Sequence, residues 1–254
     1  MSDSNLQTVS GVLLIDKPVG PTSFRMVQLV RRALGIKKVG HAGTLDPFAS
    51  GLLVVCVGRP ATRLVSGFMA GNKVYDATLQ LGVETDTKDH TGNIISESAV
   101  PVMDHYKIEK CLGLFEGRLM QTPPSYSGLK YKGKPLYYYA RKGEEVVKEP
   151  REVWISSIDL IFLGKDILRI KVVCSKGTYI RSLASDIGVS LGCGAHLRKL
   201  RRLRSGYFSV NNSLPGDKLD ADREAVRDLL ISNMLPVESQ PELHAEDFNS
   251  DERR

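Results

Sequence analysis

KVGHAGTLDPFASGLL, residues 38–53, sets one carboxylate, Asp46, between a histidine-bearing glycine turn and a proline. The residues around it are mostly small, apolar or glycine. Gly40, Gly43 and Gly51 allow backbone geometries that other residues resist. Pro47 fixes its own φ and pushes Asp46 toward an extended conformation. The stretch therefore predicts an acid held on a stiff loop, and two readings suit it: a turn former, or a carboxylate placed for chemistry. Desolvation by such neighbours raises a carboxylate pKa, so a catalytic acid there needs a cation to stay ionised. Arg181, just after an apolar strand pattern at 167–174, is one candidate; its other reading is a surface arginine at a helix start.

Outward from this loop the chain alternates strand and helix patterns. GVLLI (11–15) and LLVVCV (52–57) read as buried strands. Between them, Ser23 is a plausible N-cap for a helix over 24–34, with Phe24, Val27, Val30 and Leu34 at helical spacing and Gly35 as the stop. From Lys73 to Leu81 the pattern has period two, with Tyr75, Ala77, Leu79 and Leu81 on one face. GVETDTKDHTGN (82–93) reads as a polar, turn-rich loop, 107–115 as a short helix, and ILRIKVVC (167–174) as a strand. SKGTYIRSLASDIG (175–188) turns into a helix, with Thr178 a possible N-cap and Ile180, Leu183, Ala184 and Ile187 on one face. Beyond about 210 the chain becomes polar; a helix at 222–235 is expected, and disorder over 236–254. Without a strict βαβ rhythm, the pattern favours an α+β fold with a mixed, mostly antiparallel central sheet.

The 254 residues suffice for one large domain or two small ones. No stretch approaches the roughly 20 apolar residues of a membrane span, and the N-terminus does not read as a signal peptide. Cys56, Cys111, Cys174 and Cys193 are widely spaced, which fits a reducing cytoplasm and argues against a structural zinc or a disulfide framework. No metal site is readable. Residues 217–254 carry eleven Asp/Glu against five Lys/Arg, whereas the rest holds 30 basic and 18 acidic residues. A basic body with an acidic tail suits either a polyanionic partner or a solvated lysine-rich surface.

Three features bear on such a partner. QTPPSYSGLKYKGKPLYYYARKG (121–143) crowds prolines, glycines, lysines and five tyrosines together, as either an RNA-touching surface segment or an amphipathic insertion. Tyr75 and Tyr179 lie on or beside strands, where a ring stacks on a base or packs in a core. HLRKLRRLRSG (196–206) packs five basic residues close together. His41 is either a turn histidine or one that reaches a phosphate or wedges into RNA.

HAGTLDPFASGLL resembles the signature loop of the bacterial tRNA pseudouridine-55 synthases, the TruB family. LLIDKPVGPTSF (13–24), GNKVYDATLQLGVETDTKDHTG (71–92), the 121–143 segment, SKGTYIRSLASDIG and HLRKLRRLRSG are similar, in order, to the family's other motifs. The resemblance runs over roughly 11–208. It implies that Asp46 is the catalytic aspartate, Arg181 its ion-pair partner, and Tyr75 the tyrosine that stacks on the target uracil. It places Tyr179 beside the carboxylate, His41 where the RNA loop is opened, Leu200 in the pocket lining and Lys73 just before the stacking tyrosine. It further suggests RNA-backbone contacts from Lys130, Lys132, Arg198, Lys199, Arg201 and Arg202.

The implied organisation is a catalytic domain over 1–210, with a thumb-like insertion at about 121–150. A short acidic segment, 211–254, stands in place of the family's C-terminal RNA-binding PUA domain. The implied activity is isomerisation of uridine to pseudouridine at position 55 in the T-loop of tRNA, by base flipping and aspartate-dependent cleavage of the glycosidic bond. No redox step or hydrolysis occurs, so no cofactor is expected. The partner is the tRNA T-arm; a cytoplasmic monomer with no membrane and no obligatory protein partner is expected. Two alternatives share the scaffold: a non-catalytic tRNA-binding or folding module, and a guide-RNA-dependent subunit. Gly128 stands where the family's pattern carries a small alanine, which loosens the thumb slightly.

Overall fold

The computed structural model describes residues 9–144 and 146–237. They divide into two units, one formed by residues 9–74 and 201–237 and the other by the residues between, 75–200.

The first unit opens with strand β1 (Gly11–Lys17), helix α1 (Ser23–Leu34), and strands β2 (Val39–Ala42) and β3 (Ser50–Val57). Short helices α2 (Gly58–Arg63) and α3 (Val65–Phe68) follow, and the chain leaves the unit near the start of β4 (Lys73–Leu81). β1 and β2 both run antiparallel to β3, so GVLLI and LLVVCV lie side by side as buried strands, Leu13 opposite Val55.

α1 is capped as its sequence allows, but by a different residue from the one expected. The Thr22 hydroxyl, not Ser23, accepts the Arg25 N–H at 3.0 Å. Ser23 is buried and its hydroxyl is engaged by Leu45. Gly35 ends the helix at φ 70°, its N–H donating to Arg31.

The second unit holds most of β4, then β5 (Val83–Thr85), β6 (Ile94–Glu97), α4 (His105–Gly113) and β7 (Gly117–Gln121). A small hairpin, β8 (Lys130–Tyr131) and β9 (Lys134–Pro135), precedes α5 (Leu136–Ala140). β10 (Arg151–Leu163), β11 (Ile167–Cys174) and α6 (Ile180–Ser190) follow, and then β12 (Ala195–Ser205), whose first half lies in this unit. The sheet order here is β12-β4-β11-β10-β7, and β10 pairs antiparallel with both β11 and β7. Ala77, Leu79 and Leu81 are buried on the face the alternation predicted, with Tyr75 at 9% exposure. Ile180, Leu183, Ala184 and Ile187 bury the expected stripe of α6.

The turn before α6 corrects another expectation. Thr178 does not cap the helix; its hydroxyl donates back to the Ser175 carbonyl, and Tyr179 is the capping residue without a side-chain bond. The loop 82–93 contains strand β5, and α4 begins at His105 because Asp104 accepts the Lys107 N–H. β10 carries no clean sequence signal, since bulges at Ile155/Ser157 and Leu160/Phe162 break its alternation.

The chain re-enters the first unit through the second half of β12, which runs parallel to β3, and then forms β13 (Phe208–Ser209) and β14 (Leu214–Pro215). A final helix, α7 (Arg223–Ser232), is capped by Asp222 through the N–H groups of Glu224 and Ala225. α7 lies within the helix expected at 222–235, but the stretch expected to be polar puts Leu219, Val226 and Leu230 into one core with Met26, Leu29, Val30 and Leu13. The expected boundary at 210 therefore does not coincide with the division of the structure at 200/201. The expected disorder over 236–254 concerns residues that, from 238 on, lie outside the described ones. The pairings are parallel and antiparallel together, mostly the latter, so the architecture is the α+β, mixed-sheet one expected. No helix among the described residues is long and apolar enough to cross a membrane.

Leu230 is fully buried beneath α1. Leu230→Ala is expected to cost about 2–5 kcal/mol of unfolding free energy, read as a lower urea midpoint; an unchanged midpoint would place α7 outside the core.

Candidate active site

The Asp46 loop joins β2 to β3 within the first unit. Leu45, Phe48 and Ala49 are buried around a half-buried Asp46. The backbone is tied down at successive positions. Arg202 Nη2 donates to the Gly43 carbonyl at 3.0 Å and Nη1 to the Thr44 carbonyl at 3.4 Å. Ser23 Oγ donates to the Leu45 carbonyl at 2.9 Å and accepts the Leu45 N–H at 2.8 Å. Ala49 N–H closes a turn onto the Asp46 carbonyl at 3.1 Å, and Gly20 N–H reaches the Pro47 carbonyl at 2.8 Å. Lys17 Nζ bonds the carbonyls of Pro18, Pro21 and Pro47 at 2.9, 2.8 and 3.3 Å.

The glycines have specific work here. Gly51, at φ 102°, is paired with Arg202 in the β3–β12 register. A Cβ there would stand 2.3 Å from the Arg202 carbonyl oxygen, so only glycine lets the two strands meet.

Electrostatics couple these groups. Burial, opposed by the charge of Asp46 and reinforced by that of Arg202, brings the Lys17 ammonium down to about 8. Burial and then Arg202 lower His41 below its usual value, so its imidazole is neutral at neutral pH. Its Nδ1 is buried with no hydrogen-bond partner among the described residues.

Arg181 lies in the second unit at 4% exposure. Nη1 donates to the Thr87 carbonyl at 3.1 Å and meets Asp89 Oδ2 at 3.4 Å; Nη2 donates to the Tyr126 carbonyl at 2.7 Å. Asp89 is itself built in, its Oδ1 accepting from Thr91 N–H at 2.9 Å and from the Thr87 hydroxyl at 3.0 Å. Gln121 clamps the residue two before Arg181. Its Oε1 accepts the Tyr179 N–H at 2.7 Å, and its Nε2 donates to the Tyr179 carbonyl at 3.1 Å. Arg181 and the Tyr179 backbone are thus fixed from the 85–91 loop and from the base of the 121–150 insertion. Leu200 is buried in this unit, and Tyr75 lies at the start of its part of β4.

Several basic residues do not sit as the sequence suggested. Arg202 is 1% exposed and donates to the carbonyls of Leu52, Gly43 and Thr44, so it is withdrawn from the RNA-backbone set. Arg201 forms a two-pronged bond with Asp16 at 2.9 and 2.6 Å. Lys73 is buried and donates to the carbonyls of Met69 and Gly71, which makes it a support for the turn before β4. Arg198, Lys199 and Arg204 are exposed.

In the insertion, Lys132 and Gly133, at φ 45° and 81°, form the tight turn of the β8–β9 hairpin and leave Lys130 and Lys132 exposed. Lys134 and Lys142 lie over the Tyr138 ring at 4.3 and 4.7 Å, and Arg141 over Tyr137 at 5.3 Å. This is the lysine–tyrosine surface that the composition suggested.

Sequence reasoning missed Lys17, Ser23, Asp89 and Gln121. Asp89 had a readable signal, because TKDHT flanks it with the hydroxyl donors it uses.

Residues 31–180 match the model of the TruB family pseudouridylate synthase N-terminal domain, and residues 181–240 that of the tRNA pseudouridylate synthase B C-terminal domain. The tRNA pseudouridine synthase B of Desulfotalea psychrophila is 54% identical over 235 residues, covering 91% of this chain and 95% of that protein. That of Bordetella avium is 47% identical over 233 residues, with 91% and 95% covered. The crystal structure of an archaeal box H/ACA sRNP Nop10-Cbf5 complex matches with TM-score 0.66 and 28% identity over 92% of this chain. That of a Cbf5-Nop10-Gar1 complex matches with TM-score 0.68 and 29% identity over 90%. This chain spans about three fifths of those two solved chains. Fold and loop together define a pseudouridylate synthase. The chain belongs to the TruB family of these enzymes.

The Lys17 shift has a measurable consequence. Its folded pKa of about 8 lies below the ordinary 10.5, so between those values the unfolded chain binds the extra proton. The penalty for burying the charged amine is complete below about 8 and is relieved as pH rises toward 10.5. Relative to Lys17→Met, the wild type should therefore gain stability between neutral and strongly alkaline pH, measured by urea denaturation of both proteins. A constant difference would mean that Lys17 titrates normally.

Proposed function

We propose that this chain isomerises uridine to pseudouridine at position 55, in the T-loop of tRNA. The support is its place in the TruB family together with relatives named tRNA pseudouridine synthase B across most of its length. The observation that carries the site assignment is the Asp46 loop itself, a carboxylate on a backbone bonded at each carbonyl from Gly43 to Pro47.

The reaction breaks the C1′–N1 bond, turns the uracil and joins C1′ to C5. C5 loses a proton and N1 gains one, so atoms balance without oxidant or water. In this reading Asp46 works on the ribose. A carboxylate opens such a bond by attacking C1′, by stabilising its developing positive charge or by removing a ribose proton, and each route needs an ionised acid held at the sugar. Arg181 is assigned as the cation that serves this carboxylate, pre-oriented by Asp89 and by the Thr87 and Tyr126 carbonyls.

Tyr75 is assigned to stack on the flipped uracil, returning roughly 1–3 kcal/mol of the unstacking cost. Tyr179 and Leu200 complete the contacts to the base. His41 is neutral, which suits a ring inserted into the RNA loop better than a cation laid on phosphate. Lys130 and Lys132 at the hairpin tip, with Arg198 and Lys199, are assigned to the phosphate backbone of the T-arm.

The protein is further proposed to act as a cytoplasmic monomer, without an obligatory protein partner. The non-catalytic module is not favoured, because family and relatives are named as synthases. The guide-RNA-dependent reading leans on solved chains in H/ACA complexes at 28–29% identity, against 47–54% for relatives named for tRNA.

Incubation with unmodified tRNA transcript, followed by base-by-base mapping, should give pseudouridine at position 55; binding without product would sink the proposal. Asp46→Asn should abolish turnover with tRNA affinity retained, and Arg181→Ala should lose far more rate than affinity. Appreciable product from Asp46→Asn would remove that residue from the chemistry. Neutralising Arg198, Lys199 and Arg204 together should weaken binding and make its salt dependence shallower, by about 0.7–0.9 in slope for each phosphate no longer neutralised. An unchanged slope would show that this edge faces away from RNA.

A further inference from the structure

The bonds around Asp46 are more than a loop of this length needs for cohesion. Short surface turns ordinarily leave some carbonyls to water. Here the carbonyls of Gly43 and Thr44 go to Arg202, that of Leu45 to Ser23, that of Asp46 to Ala49 N–H and that of Pro47 to Gly20 and Lys17. Two of the side chains involved are almost wholly removed from solvent, Ser23 at 2% and Arg202 at 1% exposure. Neither is open to an RNA molecule. Burying a guanidinium is costly unless its N–H groups are bonded, and three backbone carbonyls of one segment, Gly43, Thr44 and Leu52, meet that need.

Ser23 is equally specific. One hydroxyl both donates to and accepts from the backbone of Leu45, the residue immediately before Asp46. It forgoes capping α1, a task left to Thr22. The two clamps grip adjacent residues, Arg202 at 43 and 44 and Ser23 at 45, and together they fix where the chain enters Asp46. Charged and titratable groups share this environment: Lys17 feels the charges of Asp46 and Arg202, and His41 that of Arg202.

We infer that Arg202 and Ser23 are positioning residues for the reaction: they hold the backbone that presents Asp46 and thereby set the rate of the chemical step, not the affinity for RNA. This rests on the assignment of Asp46 as the catalytic acid. Neither residue touches the reacting atoms. Their effect is geometric, and a displacement of about 1 Å at a reacting group can cost on the order of 100-fold in rate.

The test compares Ser23→Ala, Arg202→Lys, Arg202→Ala and Asp46→Asn with the wild type on unmodified tRNA transcript. Single-turnover rate at saturating enzyme and tRNA affinity by filter binding are measured well below each variant's melting temperature. Ser23→Ala and Arg202→Lys should lose roughly 10- to 100-fold in rate with affinity unchanged. Arg202→Ala should recover part of its rate in sub-denaturing guanidinium and none in sodium chloride of the same ionic strength.

Full rate in folded Ser23→Ala overturns the inference, as does a lower melting temperature with no loss of rate. Weakened affinity with an unchanged saturated rate in Arg202→Lys overturns it too, and returns Arg202 to the RNA surface. If neither Arg202 variant folds, Ser23→Ala, which deletes a single oxygen, decides alone. Turnover by Asp46→Asn would instead withdraw the assignment of Asp46. An inactive Asp46→Asn beside a fully active Ser23→Ala would withdraw only the clamp.

Discussion

The guanidinium of Arg202, buried against the carbonyls of Gly43, Thr44 and Leu52, is the constraint to which the rest of the first unit answers. The charge of this buried guanidinium is felt at Lys17 and His41. It also dictates sequence at a distance. Gly51 must lack a side chain because Arg202's own backbone lies where a Cβ would go. The parallel register of β3 and β12 follows, with Arg202 opposite Gly51 and Arg201 opposite Ser50. The loop, the two strands flanking it and the return of the chain from the second unit are thus one requirement seen from different residues.

The charge pattern of this region is lopsided in a way that composition hides. Between residues 17 and 75 there are nine lysines and arginines and a single acidic residue, Asp46. A lone carboxylate among cations has no competing anion of its own segment to share them with. Two of the cations packed against this loop are moreover immobilised: Lys17 by three proline-segment carbonyls, Arg202 by three others. Fixed charges do not reorganise when charge develops on a substrate, which is the condition under which electrostatics aids a reaction most.

Much of the fold was legible because its signals are local. The apolar runs at 11–15 and 52–57, the alternation at 73–81 and the stripe of α6 each state their burial in a few residues. β10 was hidden by its bulges; α7 was legible as a helix, but the acidic residues on its outer face masked the burial of Val226 and Leu230. At the site, Asp46 and Arg181 were legible as residues, but their supports were not, because those bonds join positions 22, 92 and 158 apart in sequence. Arg202 was misread for a clear reason. In KLRRLR every basic residue looks alike. Even strand alternation does not single out Arg202, since Arg198, Leu200, Arg202 and Arg204 all fall on one side by that count; what buries Arg202 while Arg198 and Arg204 stay exposed is its bonding to the carbonyls of Gly43, Thr44 and Leu52.

The basic residues therefore divide into two populations with different physics. Those inside, Arg202, Arg181, Lys17 and Lys73, have exchanged water for carbonyls or a carboxylate, and they shape loops. Those outside keep their solvent, and in the insertion they lie over tyrosine rings, as Lys134 and Lys142 do over Tyr138. Only the second population can release counterions when a phosphate backbone arrives, so formal charge overstates the grip on RNA. An ammonium already resting on an aromatic face keeps its charge and can still turn outward to a phosphate, whereas a guanidinium locked to three carbonyls cannot leave without opening the loop. The same residue types thus supply affinity where they are exposed and geometry where they are buried, and burial decides which.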